Sequence, residues 1–130
     1  MNLIVAARRA LVAALLPYVF FAATLLAVTA CHSYHIDTTI ENRTGAPIQL
    51  LEVDYPSASF GEDSLAVDAT FHYRFQVRGS GQLKVSYTAA NGQSVQILGP
   101  TLAERQQGTL EIDLEPGGKA EFHPQLNPPA

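Results

Sequence analysis

The feature that most constrains the fold is an alternation of apolar and polar residues that recurs along the chain from residue 36 onward. Its clearest stretches are residues 36–41, 71–78, 83–88 and 110–115, where every second residue is apolar or β-branched. A period of two is typical of strands that turn one face toward a core. Glycine, asparagine or proline separates these stretches, so the pattern predicts about seven short strands.

Turn residues divide the strands. Asn42–Gly45, Asn91-Gly92 and Gly117-Gly118 are typical turn sequences, and Asn-Gly is a strong hairpin signal. Ser57–Phe60 is predicted as a short extended piece before a turn at Gly61–Asp63. The last short strand is expected around residues 120–122.

Two stretches depart from simple alternation. In 48–55 the phase slips between Leu50 and Leu51, and a β-bulge is one way to absorb such a slip. Residues 99–107 are the least strand-like, and they predict either one helical turn or a crossover between sheets.

This pattern predicts an all-β fold, a small antiparallel β-sandwich of immunoglobulin-like or fibronectin-like architecture. The sandwich is expected to span residues 36–123, preceded by an N-terminal apolar signal helix. Residues 124–130 contain three prolines and predict a disordered or extended tail. One domain of this size suffices for a single core.

The N-terminal segment has the layout of an export signal. Arg8 and Arg9 form a short positive region, the stretch from Ala10 to Ala30 is uncharged, and Leu, Val, Phe and Ala dominate it. Small residues then precede Cys31, the only cysteine of the chain. A positive end, an apolar stretch and small residues at the cleavage position together predict a signal peptide.

The tetrad Val28-Thr29-Ala30-Cys31 resembles the lipobox of bacterial lipoproteins, and the segment after it resembles small β-sandwich lipoproteins. The resemblance implies that diacylglycerol is attached to the Cys31 sulfur and that a peptidase cuts between Ala30 and Cys31. Residues 1–30 would then be the signal peptide, and residues 31–35 the lipidated N-terminus and a short tether. The alternative is an uncleaved transmembrane anchor, since the uncharged stretch is long enough to cross a bilayer.

Either attachment places the domain in the cell envelope, because Arg8 and Arg9 should stay cytoplasmic. The residue after the cysteine is His32 rather than aspartate. In Gram-negative lipoproteins, a residue other than aspartate at this position resembles the signal for the default route to the outer membrane. In such a host we therefore expect the domain to face the periplasm.

Charge limits the classes of partner. Without Arg8 and Arg9, six of the eight basic residues remain against twelve acidic ones, which argues against nucleic acid and against electrostatic binding to anionic lipid. We therefore expect a membrane contact through lipid on Cys31 and an envelope protein as a further partner. The sequence leaves the oligomeric state open.

The leading functional hypothesis is a non-enzymatic accessory or binding module without a cofactor, and no catalytic or metal-ligand set is assigned. Tyr55 and Phe60 flank a candidate binding loop, although the favoured interpretation is that both side chains close the end of the sandwich. Two alternatives stay open. One is a copper- or zinc-handling protein that uses His32, His35, His72 and His123, and the other is a small envelope enzyme.

Overall fold

The computed structural model of the chain describes residues 33–128. Eight strands follow one another in this region: β1 Ile36–Asn42, β2 Ile48–Tyr55, β3 Ala58–Leu65, β4 Thr70–Phe75, β5 Gly81–Thr88, β6 Ser94–Leu102, β7 Gly108–Glu115 and β8 Lys119–Leu126. The expected signal helix, its cleavage position and Cys31 lie outside the described residues. None of the described residues form a helix that is long and apolar enough to cross a membrane.

The strands form two four-stranded sheets, which confirms the predicted β-sandwich. The first sheet has the order β4-β1-β7-β8 and the second the order β3-β2-β5-β6. One apolar core serves both sheets, because every strand contributes apolar side chains to it. Its fully buried members include Ile36, Ile40, Val53, Leu83 and Ile112.

Two details of the sandwich differ from the predicted antiparallel arrangement of about seven strands. The described residues form eight strands, and β1 pairs with β7 in parallel while it pairs with β4 antiparallel. Strands separated by a long stretch of chain can pair in parallel because no tight turn has to join them. Alternation within each strand carries no information about the direction of a distant neighbour.

Three boundaries also differ from the sequence-based expectation. The predicted turn at Gly61–Asp63 lies inside β3, which continues to Leu65. The stretch from residue 99 begins as strand, since β6 reaches Leu102 before a short crossover leads to β7. Strand β8 passes through Pro124 to Leu126, so part of the proline-containing tail is extended and paired with β7.

The slip between Leu50 and Leu51 is a β-bulge, as predicted. The pairing of β2 with β5 shifts register between Gln49 and Glu52, and Leu50 has a positive φ of 52°. The extra residue leaves Leu50 exposed while Leu51 returns to the core. A bulge of this kind lets one strand keep its apolar residues on one face despite a break in alternation.

The strand directions separate the loops into two groups. The chain joins the sandwich before Ile36, at what we call the proximal end, together with the β2–β3, β4–β5 and β6–β7 connections and the residues after β8. The opposite, distal end carries the β1–β2, β3–β4, β5–β6 and β7–β8 connections.

Candidate functional site

The candidate binding loop at Tyr55 and Phe60 is shorter than the sequence predicted. Strand β2 ends at Tyr55 and β3 begins at Ala58, so only two residues form the turn. Phe60 is 7% exposed, and its ring centroid lies 5.3 Å from that of Phe75. Tyr55 packs on the same ring at 4.5 Å, and burial raises the pKa of its hydroxyl. These two side chains close the side of the core.

The histidines lie in separate environments. His32 is outside the described residues, and the His35 Nε2 atom lies 3.3 Å from the Gln76 Nε2 atom at the proximal end. His72 lies on β4, and its Nδ1 atom is 3.1 Å from the hydroxyl of Thr39 on β1. His123 lies on β8, at the other edge of the same sheet, about 14 Å away at the usual strand spacing.

A cluster of charged side chains surrounds His123 on the outer face of the first sheet. In the β7–β8 register, Asp113 is opposite Glu121, and Glu111 is opposite His123. The parallel β1–β7 register places Glu41 beside Asp113. Because these residues alternate with the core residues of their strands, their side chains share the outer face.

The distances within this cluster are short. The His123 Nε2 atom lies 3.3 Å from Asp113 Oδ2 and 3.6 Å from Glu121 Oε2. Arg43 Nη1 approaches the same Asp113 oxygen at 3.3 Å, and Arg43 Nη2 pairs with Glu41 at 2.9 Å. The hydrogen bond to Glu41 and the charges of Asp113 and Glu41 raise the pKa of the exposed Arg43 guanidinium. The Asp113 residue is only 9% exposed.

A pocket of about 480 Å³ opens at the distal end. Three connections form its walls: the β1–β2 turn at Thr44 and Ala46, the β5–β6 hairpin at 89–93, and the β7–β8 hairpin at 115–118. A volume of this size lies within the usual range for small-ligand sites. The distal end of the sandwich therefore carries a concave site large enough for a small ligand group.

The pocket has an apolar interior and a polar rim. Ile48, Tyr87 and Val95 contribute from the strands, and burial raises the pKa of the Tyr87 hydroxyl. Asn91 and Gln93 supply amides, and Glu115 is the one charged residue among those that line the pocket. Such a lining suits a ligand group that is partly apolar and carries hydrogen-bond donors.

Comparisons with known proteins bear on the fold. No family model matches the chain, and no curated protein matches it. The solved structures include an NMR structure of a protein from Eubacterium rectale that is similar to this chain, with a TM-score of 0.51 and 11% sequence identity. The alignment covers 70% of this chain and 88% of that one. At this identity the likeness supports the β-sandwich fold alone.

Proposed function

We propose that this protein is a lipid-anchored bacterial lipoprotein whose β-sandwich is a non-enzymatic binding module of the cell envelope. The observation that carries the proposal is the position of the distal pocket. The chain joins the sandwich at Ile36, five residues after Cys31, whereas the pocket opens at the other end of the strands. A module built in this way would have its pocket at the end of the sandwich opposite the point where the chain enters it.

The lengths of the elements support this arrangement. Strand β1 has seven residues, which corresponds to about 20 Å from the proximal to the distal end. Two or three acyl chains on Cys31 would make attachment effectively permanent, since each buried CH₂ contributes about 0.8 kcal/mol. In a Gram-negative host, the residue after Cys31 favours the outer membrane, with the pocket in the periplasm.

The pocket lining supports binding rather than catalysis. Its polar groups are mostly amides and hydroxyls, and Glu115 is its only carboxylate. These groups orient a ligand by hydrogen bonds. We propose an envelope protein as the partner, which would place a small amphipathic group in the pocket.

The lipid anchor is tested by substitution of its cysteine in the full-length chain. We expect the wild-type protein to begin at Cys31, to carry acyl groups in an intact-mass measurement, and to partition with membranes. Cys31→Ser should keep Met1–Ala30 uncleaved, and Ser33→Ala is the matched control that should behave as wild type. If Cys31→Ser were processed and partitioned like the wild type, the lipoprotein assignment would be wrong.

The binding site is tested by site-specific crosslinking in cells. A photoreactive residue at Ala90 would lie on the pocket rim, and one at Gln96 would lie on the outer face of the second sheet. We expect a discrete crosslinked product from Ala90 that Gln96 does not give. The same product from both positions, or none from Ala90, would contradict a distal binding site.

A further inference from the structure

We propose that Asp113, Glu121 and His123 form a binding site for a divalent transition-metal ion, with Zn²⁺ as the best-fitting probe. The proposal is independent of the distal pocket and of the lipid anchor. It uses one of the four histidines that the sequence suggested, His123, together with two carboxylates. Among residues 33–128, these three side chains each offer one ligand atom, and the three atoms lie within 4.8 Å of one another.

The first argument is geometric. A tetrahedral Zn²⁺ with bonds of about 2.1 Å has neighbouring ligand atoms about 3.4 Å apart. The two distances from His123 Nε2 to the carboxylate oxygens are 3.3 Å and 3.6 Å. Both match an edge of the coordination tetrahedron, and the two carboxylate oxygens lie within 4.8 Å of each other, so side-chain adjustment would bring all three atoms around one ion.

The second argument concerns charge at one atom. Two carboxylate oxygens approach the same imidazole nitrogen. If Nε2 carries a lone pair, both oxygens repel it, and if the imidazole is protonated, Nε2 forms an ion pair with Asp113 at 3.3 Å and a longer one with Glu121 at 3.6 Å. A metal ion would take the place of that proton, because it accepts the lone pair of Nε2 and a lone pair of one oxygen from each carboxylate.

The third argument is that the surroundings carry net negative charge, since four carboxylates lie around one guanidinium, and that they fix one ligand. Glu41 and Glu111 lie beside Asp113 and His123 in the strand register and add negative charge. The Asp113 side chain is only 12% exposed, and Arg43 contacts it from the β1 side. Asp113 therefore starts from a restricted position, whereas the Glu121 and His123 side chains, 64% and 49% exposed, are free to adjust.

The remaining coordination positions would face solvent. His123 and Glu121 lie on β8, an edge strand of the first sheet, so water can complete the coordination. An open site with one imidazole and two carboxylates suits exchangeable binding of Zn²⁺ or a similar ion. Because the ligands are oxygen and imidazole nitrogen atoms and include no sulfur, the site suits metal ions of borderline character better than soft ones.

The experiment is a titration of the full-length protein in detergent with ZnCl₂, in which isothermal titration calorimetry measures the binding. We expect one ion per chain for the wild type and a loss of affinity of about tenfold or more in Asp113→Asn and in His123→Ala. His72→Ala is the matched control, because His72 lies on the same sheet face but outside the cluster. It should bind as the wild type does.

A second variant and a second readout distinguish a loss of Zn²⁺ binding from a loss of folding. Glu121→Gln changes an exposed residue of the edge strand, so the fold should persist, and its Zn²⁺ affinity should also fall. Zn²⁺ should raise the thermal midpoint of the wild type and not that of Glu121→Gln. The proposal is overturned if folded Glu121→Gln and Asp113→Asn bind Zn²⁺ as the wild type does, if His72→Ala weakens binding equally, or if the wild type binds none.

Discussion

Asn42 is the residue that ties the distal end together. It is fully buried at the end of β1, and its Nδ2 atom donates to the carbonyl oxygens of Ala46, Leu65 and Ala66 at 2.8–3.1 Å. Its Oδ1 atom accepts hydrogen bonds from the Thr44 amide and hydroxyl. The sequence predicted a turn from Asn42. It could not show that one side chain also bonds to the β3–β4 loop, because that contact depends on the packing of the sheets.

We expect Asn42→Ala to lower the free energy of unfolding by about 2–4 kcal/mol, because several buried carbonyl groups would lose their donor. Urea denaturation measures the change. Asn91→Ala is the control, since Asn91 is exposed and bonds only within its own hairpin; its cost should stay below about 1 kcal/mol. Equal effects of the two substitutions would contradict the role given to Asn42.

Thr38 is a buried residue whose hydroxyl works against stability. Among the described residues it is 2% exposed, and its Oγ1 atom is the buried side-chain polar atom without a hydrogen-bond partner. Thr38→Val keeps the shape and removes this hydroxyl, so we expect a gain of about 1 kcal/mol. Thr39→Val, on the opposite face of β1 where the hydroxyl contacts His72, should give no gain. Thermal unfolding of both variants decides between these outcomes.

At the scale of elements, β2 shows what a break in alternation can predict. The bulge could be predicted from the sequence because Ile48 and Leu51 cannot face the same side of a regular strand. The continuation of β3 did not follow, since Gly61-Glu62-Asp63 resembles a turn. Gly61 lies against the bulge instead, where a Cβ atom would collide with the Leu51 carbonyl oxygen. The glycine permits a close approach of backbones and does not end the strand.

The bulge makes a prediction about Leu50, which is 66% exposed and has a left-handed backbone conformation. That conformation costs a non-glycine residue about 1–2 kcal/mol. Leu50→Gly should be neutral or stabilising by up to about 1 kcal/mol, because the flexibility of glycine offsets part of the gain. Leu50→Val should destabilise by about 1–2 kcal/mol, since a β-branched residue fits this conformation poorly.

The control for this pair is Leu98→Val. Leu98 is 65% exposed on β6 and lacks a positive φ, so the change should stay within about 0.5 kcal/mol. Urea midpoints measured side by side give the comparison. A Leu50→Val protein as stable as the wild type would mean that Leu50 is not held in the left-handed region.

At the scale of the whole molecule, the distance between partners in the chain limits what a sequence can predict. The pairing of Asp113 with Glu121 spans one hairpin, and the Gly117-Gly118 turn already indicated that β7 and β8 are neighbours. The approach of Arg43 to Asp113 requires the parallel β1–β7 pair, which joins residues roughly 70 positions apart and pays a correspondingly larger loop-closure cost. No local pattern encodes that pair, so the contact of Arg43 with Asp113 could not be predicted, whereas the three proposed Zn²⁺ ligands lie within one hairpin.

The same long-range pair predicts which part of the chain the fold needs. Strand β1 lies between β4 and β7 in the first sheet, and Ile36 and Ile40 are fully buried in the shared core. A chain that begins at Tyr34 keeps all eight strands and should unfold in one cooperative transition, because both sheets share one core. A chain that begins at Thr44 lacks β1, so β4 and β7 lose the strand that joins them.

We expect this shorter chain to show no cooperative thermal transition by circular dichroism and poor dispersion of amide signals by NMR. The longer chain is its matched control, since the two differ by little more than β1. A cooperative transition in the chain from Thr44 would mean that the second sheet and the β7–β8 hairpin suffice for the core. In that case β1 would have to be an accessory strand, and its burial between two neighbours would add little to the free energy of unfolding.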